Sequence, residues 1–186
     1  MLVACCTPAP SLPNRTPAPS VPPVATAEPT PSPTAEPTPA YPAPPADGVR
    51  ARVARVIDGD TVVLHGLGVG SVDRRTGGRR ARLIGIDTPE VHGGVECLGR
   101  EASAFTKRSL DGREVIVSFD VDTLDRYGRA LVYVWETDGT FFNGRIVVAE
   151  GYAYPYTVPP NVRYAEVFVR LAAAAREAGR GLWARC

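Results

Sequence analysis

Apolar and polar residues alternate from Arg50 to Ile57 closely enough to predict a half-buried strand, because successive strand residues face opposite sides. Asp58-Gly59-Asp60 follows as a tight turn of the Asp-Gly type, and Thr61-Val62-Val63-Leu64-His65 predicts the returning strand. Gly66–Gly78 is glycine-rich and polar, a long hairpin loop, and Arg79–Ile86 predicts a third strand. Thr88-Pro89 stops that strand. Proline has no N–H for a ladder, and its ring drives Thr88 into an extended conformation. Together these segments form a β-meander.

Beyond a loop at Val91–Gly99, apolar Ala102, Phe105 and Leu110 fall on one face of a predicted helix, Arg100–Leu110, which Asp111-Gly112 ends. Glu114–Asp120 and Ala130–Trp135 predict two more strands. Asp138-Gly139 marks a turn, and Asn143 is expected to cap a short helix running to Glu150. The last helix is expected to start near Asn161, with Phe168, Leu171, Ala172 and Ala175 at helical spacing and Gly179 as its C-cap. Five strands, a helix between the third and fourth, and two later helices describe an α+β chain. A five-stranded Greek-key barrel of OB type with three helices fits this order, the helix after strand three plugging one end.

The third strand ends on two carboxylates, Asp87 and Glu90. Arg82 lies five residues before Asp87, so on a regular strand the two point to opposite sides. They meet in one site only if the strand twists, bulges or curls.

Composition divides the chain further. Of its 19 prolines, 15 precede residue 51. Residues 7–47, rich in Pro, Thr and Ala, bury too little apolar surface to offset the entropy of ordering, and are expected to be a disordered, semi-extended linker. A polyproline II segment that docks on a partner is the other use of such a sequence. Residues 48–186 suit one domain with a core of its own. That domain holds 20 basic and 17 acidic residues, a net charge of +3, too small to announce a nucleic-acid binder by itself. Arginines nevertheless cluster at Arg74-Arg75 and Arg79-Arg80-Arg82. The first four of these equally describe a solvated arginine-rich hairpin.

Leu2-Val3-Ala4-Cys5 has the shape of a lipobox, which makes residues 1–6 the expected remnant of a lipoprotein signal and Cys5 the lipidation candidate. A lipid anchor of this kind is the membrane attachment expected here, since no stretch is long enough to span a bilayer. Cys97 and Cys186 lack the spacing of zinc ligands. In an exported protein their simplest use is a disulfide; in a reducing compartment they remain two thiols.

Three polar stretches are left. Asp58-Gly59-Asp60-Thr61 serves as a hairpin turn, Asp87-Thr88-Pro89-Glu90 as a strand end, and Asp125-Arg126-Tyr127-Gly128-Arg129 as a charged loop with a glycine turn. Taken together and in this order, with Gly99-Arg-Glu-Ala-Ser-Ala-Phe-Thr-Lys107 between them and Gly181-Leu-Trp183 at the end, they resemble the thermonuclease (staphylococcal nuclease-like) family over nearly all of residues 50–186.

The resemblance implies a Ca²⁺ site formed by the carboxylates of Asp60 and Asp87 and the carbonyl of Thr88, with Asp58 behind it. Calcium takes oxygen ligands and tolerates water, so this set suffices once substrate phosphate adds an oxygen. Glu90 matches the family's general base. Arg82 and Arg129 match the two arginines that grip the scissile phosphate, where a planar guanidinium bonds two oxygens at once. Arg126 and Tyr127 match positions near the nucleotide pocket. Tyr154 or Tyr156 is the candidate to stack on a base, but the segment around Pro155, Pro159 and Pro160 departs from the family's tyrosine-bearing loop, and packing on the barrel is the other use of both rings. The implied enzyme is a low-specificity endonuclease, monomeric and extracellular or held at the surface of a bacterial cell. It hydrolyses DNA and RNA to 3′-phosphate ends, and contacts directed to phosphate carry no base identity.

The chain departs from the family in its long Gly66–Gly78 loop and in Val91-His92-Gly93-Gly94-Val95, where lysines often follow the Thr-Pro-Glu motif. A non-catalytic OB-type binding module is the alternative. Such a module has no need of two carboxylates beside a phosphate clamp, since without a metal they repel the ligand.

Overall fold

Strand alternation along Val49–Val56 (β1) is broken once. Ala51, Val53 and Val56 all turn into the core, and the extra residue is absorbed by a bulge between Val53 and Arg55. The computed structural model describes residues 40–148 and 150–186. The Leu2–Cys5 motif, with its lipidation candidate Cys5, and the spacer as far as residue 39 lie outside the described residues.

β1 pairs antiparallel with Thr61–His65 (β2) and with Glu114–Ser118 (β5). Arg79–Leu83 (β3) joins β2 antiparallel and Ala130–Glu136 (β6) parallel, and the β5–β6 pairing closes a five-stranded barrel in the order β1-β2-β3-β6-β5. This is the expected barrel, with helices Gly99–Leu110 (α1), Phe142–Val148 (α2) and Ala165–Glu177 (α3), and a four-residue turn Leu182–Arg185 (α4) added at the end. α1 lays Phe105 and Leu110 on the barrel core. Strand β6 is buried on both faces: Val132 and Val134 enter the barrel, while Tyr133 and Trp135 pack against Phe141, Tyr164 and Phe168.

The predicted third strand does not run through to Ile86. It stops at Leu83, and a separate strand Gly85–Asp87 (β4) pairs outside the barrel with Tyr154–Tyr156 (β7). Gly85 makes the break possible. Its φ of 83° suits glycine alone, and a Cβ there would stand 2.0 Å from the Phe168 ring. Buried Asn143 is not the helix cap expected of it. It lies inside α2 and accepts from the Val134 N–H at 2.9 Å while donating to the Ile84 carbonyl at 2.9 Å, which satisfies two backbone groups stranded by the break. The last helix starts later than Asn161 because that side chain bonds both backbone groups of Asp122, at 2.8 and 2.9 Å.

Residues 41–45, assigned by composition to the spacer, lie on this domain. Tyr41 packs against the core, and the buried Trp135 indole donates to the Pro42 carbonyl at 2.8 Å.

A disulfide joins Cys97 to Cys186 across 89 residues. It clamps the loop before α1 to the C-terminal turn, and by closing so long a loop it takes conformational entropy out of the unfolded ensemble. Replacing both cysteines by serine is expected to lower stability by about 2–4 kcal/mol, read from guanidinium chloride unfolding.

Asp73 holds the Gly66–Gly78 loop. Its carboxylate is buried and accepts from Arg55 Nη2 at 2.7 Å and from the Thr76 hydroxyl and N–H, both at 3.1 Å. Burial pushes this carboxyl up, but the hydrogen bonds from Arg55 and Thr76 outweigh it and leave it at about 2. A carboxyl whose folded pKa lies below its unfolded value of about 3.9 stabilises the fold above that pH and loses the contribution as it protonates. Stability is therefore expected to fall between about pH 4 and pH 2, and Asp73→Asn to flatten that part of the denaturation profile.

Candidate active site

The strand break answers the parity problem at Arg82. With the backbone redirected at Gly85, the Arg82 guanidinium reaches both Asp87 Oδ1 and Asp60 Oδ2, each at 2.6 Å, and also donates to the Leu83 carbonyl at 3.1 Å. Asp60 stands on the β1–β2 turn, where its Oδ2 accepts the Thr88 N–H and hydroxyl, both at 2.9 Å. Asp58 Oδ1 accepts the Asp60 N–H at 3.1 Å, closing the turn on itself. The Thr106 hydroxyl of α1 donates to the Gly59 carbonyl at 2.6 Å and fixes the turn to the helix. Asp58, Asp60, Arg82, Asp87 and Thr88 thus form one network.

Two carboxylates, Asp60 and Asp87, share one guanidinium there, and Asp58 stands behind Asp60 on the turn. Burial pushes the Asp58 carboxyl up, and the neighbouring Asp60 charge pushes it further. Burial also raises Asp87, against the pull of Arg82, and the Asp60 and Glu96 charges add to the rise. This surplus of hard oxygen donors is what a divalent cation relieves, so the residues fit calcium. Among the described residues no group of three or more His, Cys, Asp and Glu side chains is gathered as a metal cage. Asp60, Asp87 and the Thr88 carbonyl are the groups that could hold such an ion, with its remaining ligands left to substrate and water.

Glu90 is exposed on the loop beyond Pro89, and among the described residues its carboxylate accepts no hydrogen bond. Its backbone is held: the Glu90 N–H donates to Glu96 Oε2 at 3.0 Å and the Glu96 N–H returns to the Glu90 carbonyl at 3.0 Å. Gly99 lets this loop lie on the start of α1, because a Cβ there would stand 2.5 Å from the Glu90 carbonyl oxygen.

On the other side of Arg82 opens a cleft of about 460 Å³, lined also by Arg129, Arg126, Tyr127 and Tyr156. Arg129 is fixed there by Asp125, which accepts its Nε–H at 2.6 Å and its backbone N–H at 2.8 Å. The Arg126 and Arg129 guanidiniums lie 4.8 and 5.4 Å from the Tyr127 ring centre. Tyr156 lines the cleft, while Tyr154 turns its ring edge-on to Trp183 at 5.4 Å and lies outside the lining. Sequence reasoning assigned no task to Glu96, Thr106 or Asp125. The last stood in view, as an Asp-x-x-Gly turn four residues before Arg129.

Comparison with known proteins agrees with this geometry. The family profile described as "Staphylococcal nuclease homologue" matches residues 80–185. A thermonuclease of Staphylococcus hyicus is 36% identical over 135 residues, 71% of this chain and 74% of the relative. A thermonuclease of Staphylococcus intermedius is 36% identical over 136 residues, 72% and 75% of the two chains. A protein of Escherichia coli O157:H7 named as an uncharacterized endonuclease is 33% identical over 135 residues, 73% and 77%. By profile, by identity and by a barrel that carries its acidic and arginine motifs to one rim, the chain belongs to the staphylococcal nuclease homologue family.

Proposed function

We propose that this protein is a Ca²⁺-dependent endonuclease of low sequence specificity that cleaves DNA and RNA to 3′-phosphate ends. As a nuclease of the staphylococcal nuclease family it hydrolyses phosphodiester bonds. The observation that carries the finer reading is Arg82, joined to Asp60 and Asp87 on one side and sharing a cleft with Arg129 on the other.

Calcium held by Asp60, Asp87 and the Thr88 carbonyl would supply positive charge beside the scissile phosphate. Arg129 keeps its Nη groups available, because Asp125 takes only Nε and the backbone N–H. Arg82 retains N–H groups beyond those given to Asp60, Asp87 and Leu83. Together they hold the non-bridging oxygens as charge builds on them. Glu90, on its braced loop, accepts the proton of the attacking water or orients that water as its oxygen bonds to phosphorus; the P–O5′ bond breaks and the 5′-oxygen takes up a proton from solvent. Tyr156 and Tyr127 offer ring faces at the cleft to the neighbouring base.

The Cys97–Cys186 disulfide favours an oxidising compartment, and with the lipobox and spacer it supports a protein that acts outside the cell or tethered to its surface. The test is hydrolysis of plasmid and single-stranded DNA by the full chain, with calcium and then with a chelator, followed by end-group analysis. Calcium-dependent cleavage to 3′-phosphates is expected. DNA binding without cleavage would turn the assignment to the non-catalytic OB module.

A further inference from the structure

The arginines at positions 55, 74, 75 and 80 take no part in the chemistry above, yet the fold gathers them. Val72 pairs with Arg79, and the Asp73 and Gly78 backbones close a short hairpin whose N–H to carbonyl bonds, Asp73 to Gly78 and Gly77 to Asp73, are both 2.8 Å. The hairpin folds back on the outside of β2. Val63, which alternation turns away from the barrel interior, is fully buried beneath it, and a Cβ at Gly78 would stand 2.8 Å from Val63 Cγ1. Asp73 locks the arrangement from inside: its carboxylate is 2.7 Å from Arg55 Nη2 and 3.7 Å from Arg80 Nη2.

One buried carboxylate is therefore held between two guanidiniums, Arg55 and Arg80, while Arg74 and Arg75 follow it in the chain and line the same concavity. Arg74, Arg75 and Arg80 are exposed, and no acidic side chain among the described residues pairs with Arg74 or Arg75. These arginines and His92 line a concavity of about 510 Å³. It adjoins the catalytic rim. Ile57, also in its lining, precedes Asp58, and His92 follows Glu90 by two residues. Arg80 and Arg82 are alternate residues of β3 and project from the same outer face, roughly 6.8 Å apart along the strand. One charged track runs from the cleft, past the rim, to the hairpin.

We infer that this hairpin patch is an accessory phosphate-backbone site, which holds a polynucleotide strand beyond the scissile bond. The inference rests on the nuclease reading and extends it from the reacting phosphate to its neighbours. Guanidinium forks match phosphate oxygens, and a cluster with uncompensated positive charge displaces counterions from a polyanion whatever its sequence. The site therefore favours polymers over short esters without adding base specificity.

Full-length Arg74→Ala/Arg75→Ala protein is assayed beside the wild type on long single-stranded DNA and on a thymidine nitrophenyl phosphodiester, across a salt series. The expected result has three parts. KM for the polymer rises about tenfold with kcat unchanged; the slope of log affinity against log salt shrinks by about 1.4; and the small ester is hydrolysed as before. Arg74→Lys/Arg75→Lys restores most of the polymer affinity, since the charge is kept. An unchanged polymer KM and salt slope overturns the inference, and so does an equal loss on both substrates, which marks a structural role. Loss confined to binding of phosphatidylserine vesicles overturns it in favour of a lipid surface. Should the wild type cleave neither substrate, the nuclease reading is what fails, and fluorescence anisotropy with a labelled oligonucleotide still decides the patch.

Discussion

Glu90→Gln is expected to lower kcat by about 10²–10⁴-fold while oligonucleotide affinity stays within about twofold of the wild type. The substitution keeps shape and length and removes only the proton acceptor. Nothing in the fold relies on that carboxylate: it is exposed, accepts no hydrogen bond among the described residues, and its loop is held through the backbone by Glu96. A melting temperature equal to the wild type's should accompany the loss. Single-turnover cleavage with enzyme in excess isolates the chemical step, and a variant that turns over at the wild-type rate would remove Glu90 from the mechanism. Glu96 provides a graded comparison. Glu96→Gln retains a side-chain oxygen for the Glu90 N–H but weakens a bond to a charged acceptor, so a smaller fall in kcat is expected from it.

The barrel was legible because its strands carry their own signals. Alternation in β1, the Asp-Gly turn and the apolar stripe of α1 are local patterns, and each appears where local rules place it. The candidate site was legible for a different reason. Asp58-Gly59-Asp60, Arg82 to Glu90 and Asp125 to Arg129 are short, spaced and chemically specific, and together they point to one family. What sequence did not reveal depends on tertiary packing. Strand periodicity carries no sign that Arg79–Ile86 breaks at Gly85, because the break exists only where Phe168 occupies the space a Cβ would take and Asn143 receives the stranded backbone groups. Asn143 has the composition of a helix cap and does the work of a core bridge. Asp73 looked like one polar residue in a glycine-rich loop, although burial beside Arg55 makes it the anchor of that loop.

Substitution of Arg129 by alanine is expected to lower kcat by about 10²–10³-fold, with KM changed by no more than about threefold. The asymmetry follows from when the bond matters. A guanidinium meets a phosphodiester in the ground state as one more cation beside a polyanion, but in the transition state it faces oxygens whose charge has grown, inside a cleft it shares with Arg82. Arg129→Lys should recover little, because a single ammonium cannot reproduce a planar two-donor contact. Asp125→Asn separates position from charge. Arg129 keeps its guanidinium but exchanges a charged acceptor at 2.6 Å from Nε for a neutral one, so kcat should fall less than in Arg129→Ala. In the Arg129→Ala background, Asp125→Asn should then change kcat hardly at all, since its effect passes through the missing side chain. A tenfold rise in KM at unchanged kcat in Arg129→Ala would make this arginine a binding contact alone. Additive losses in the double variant would give Asp125 a role of its own at the cleft.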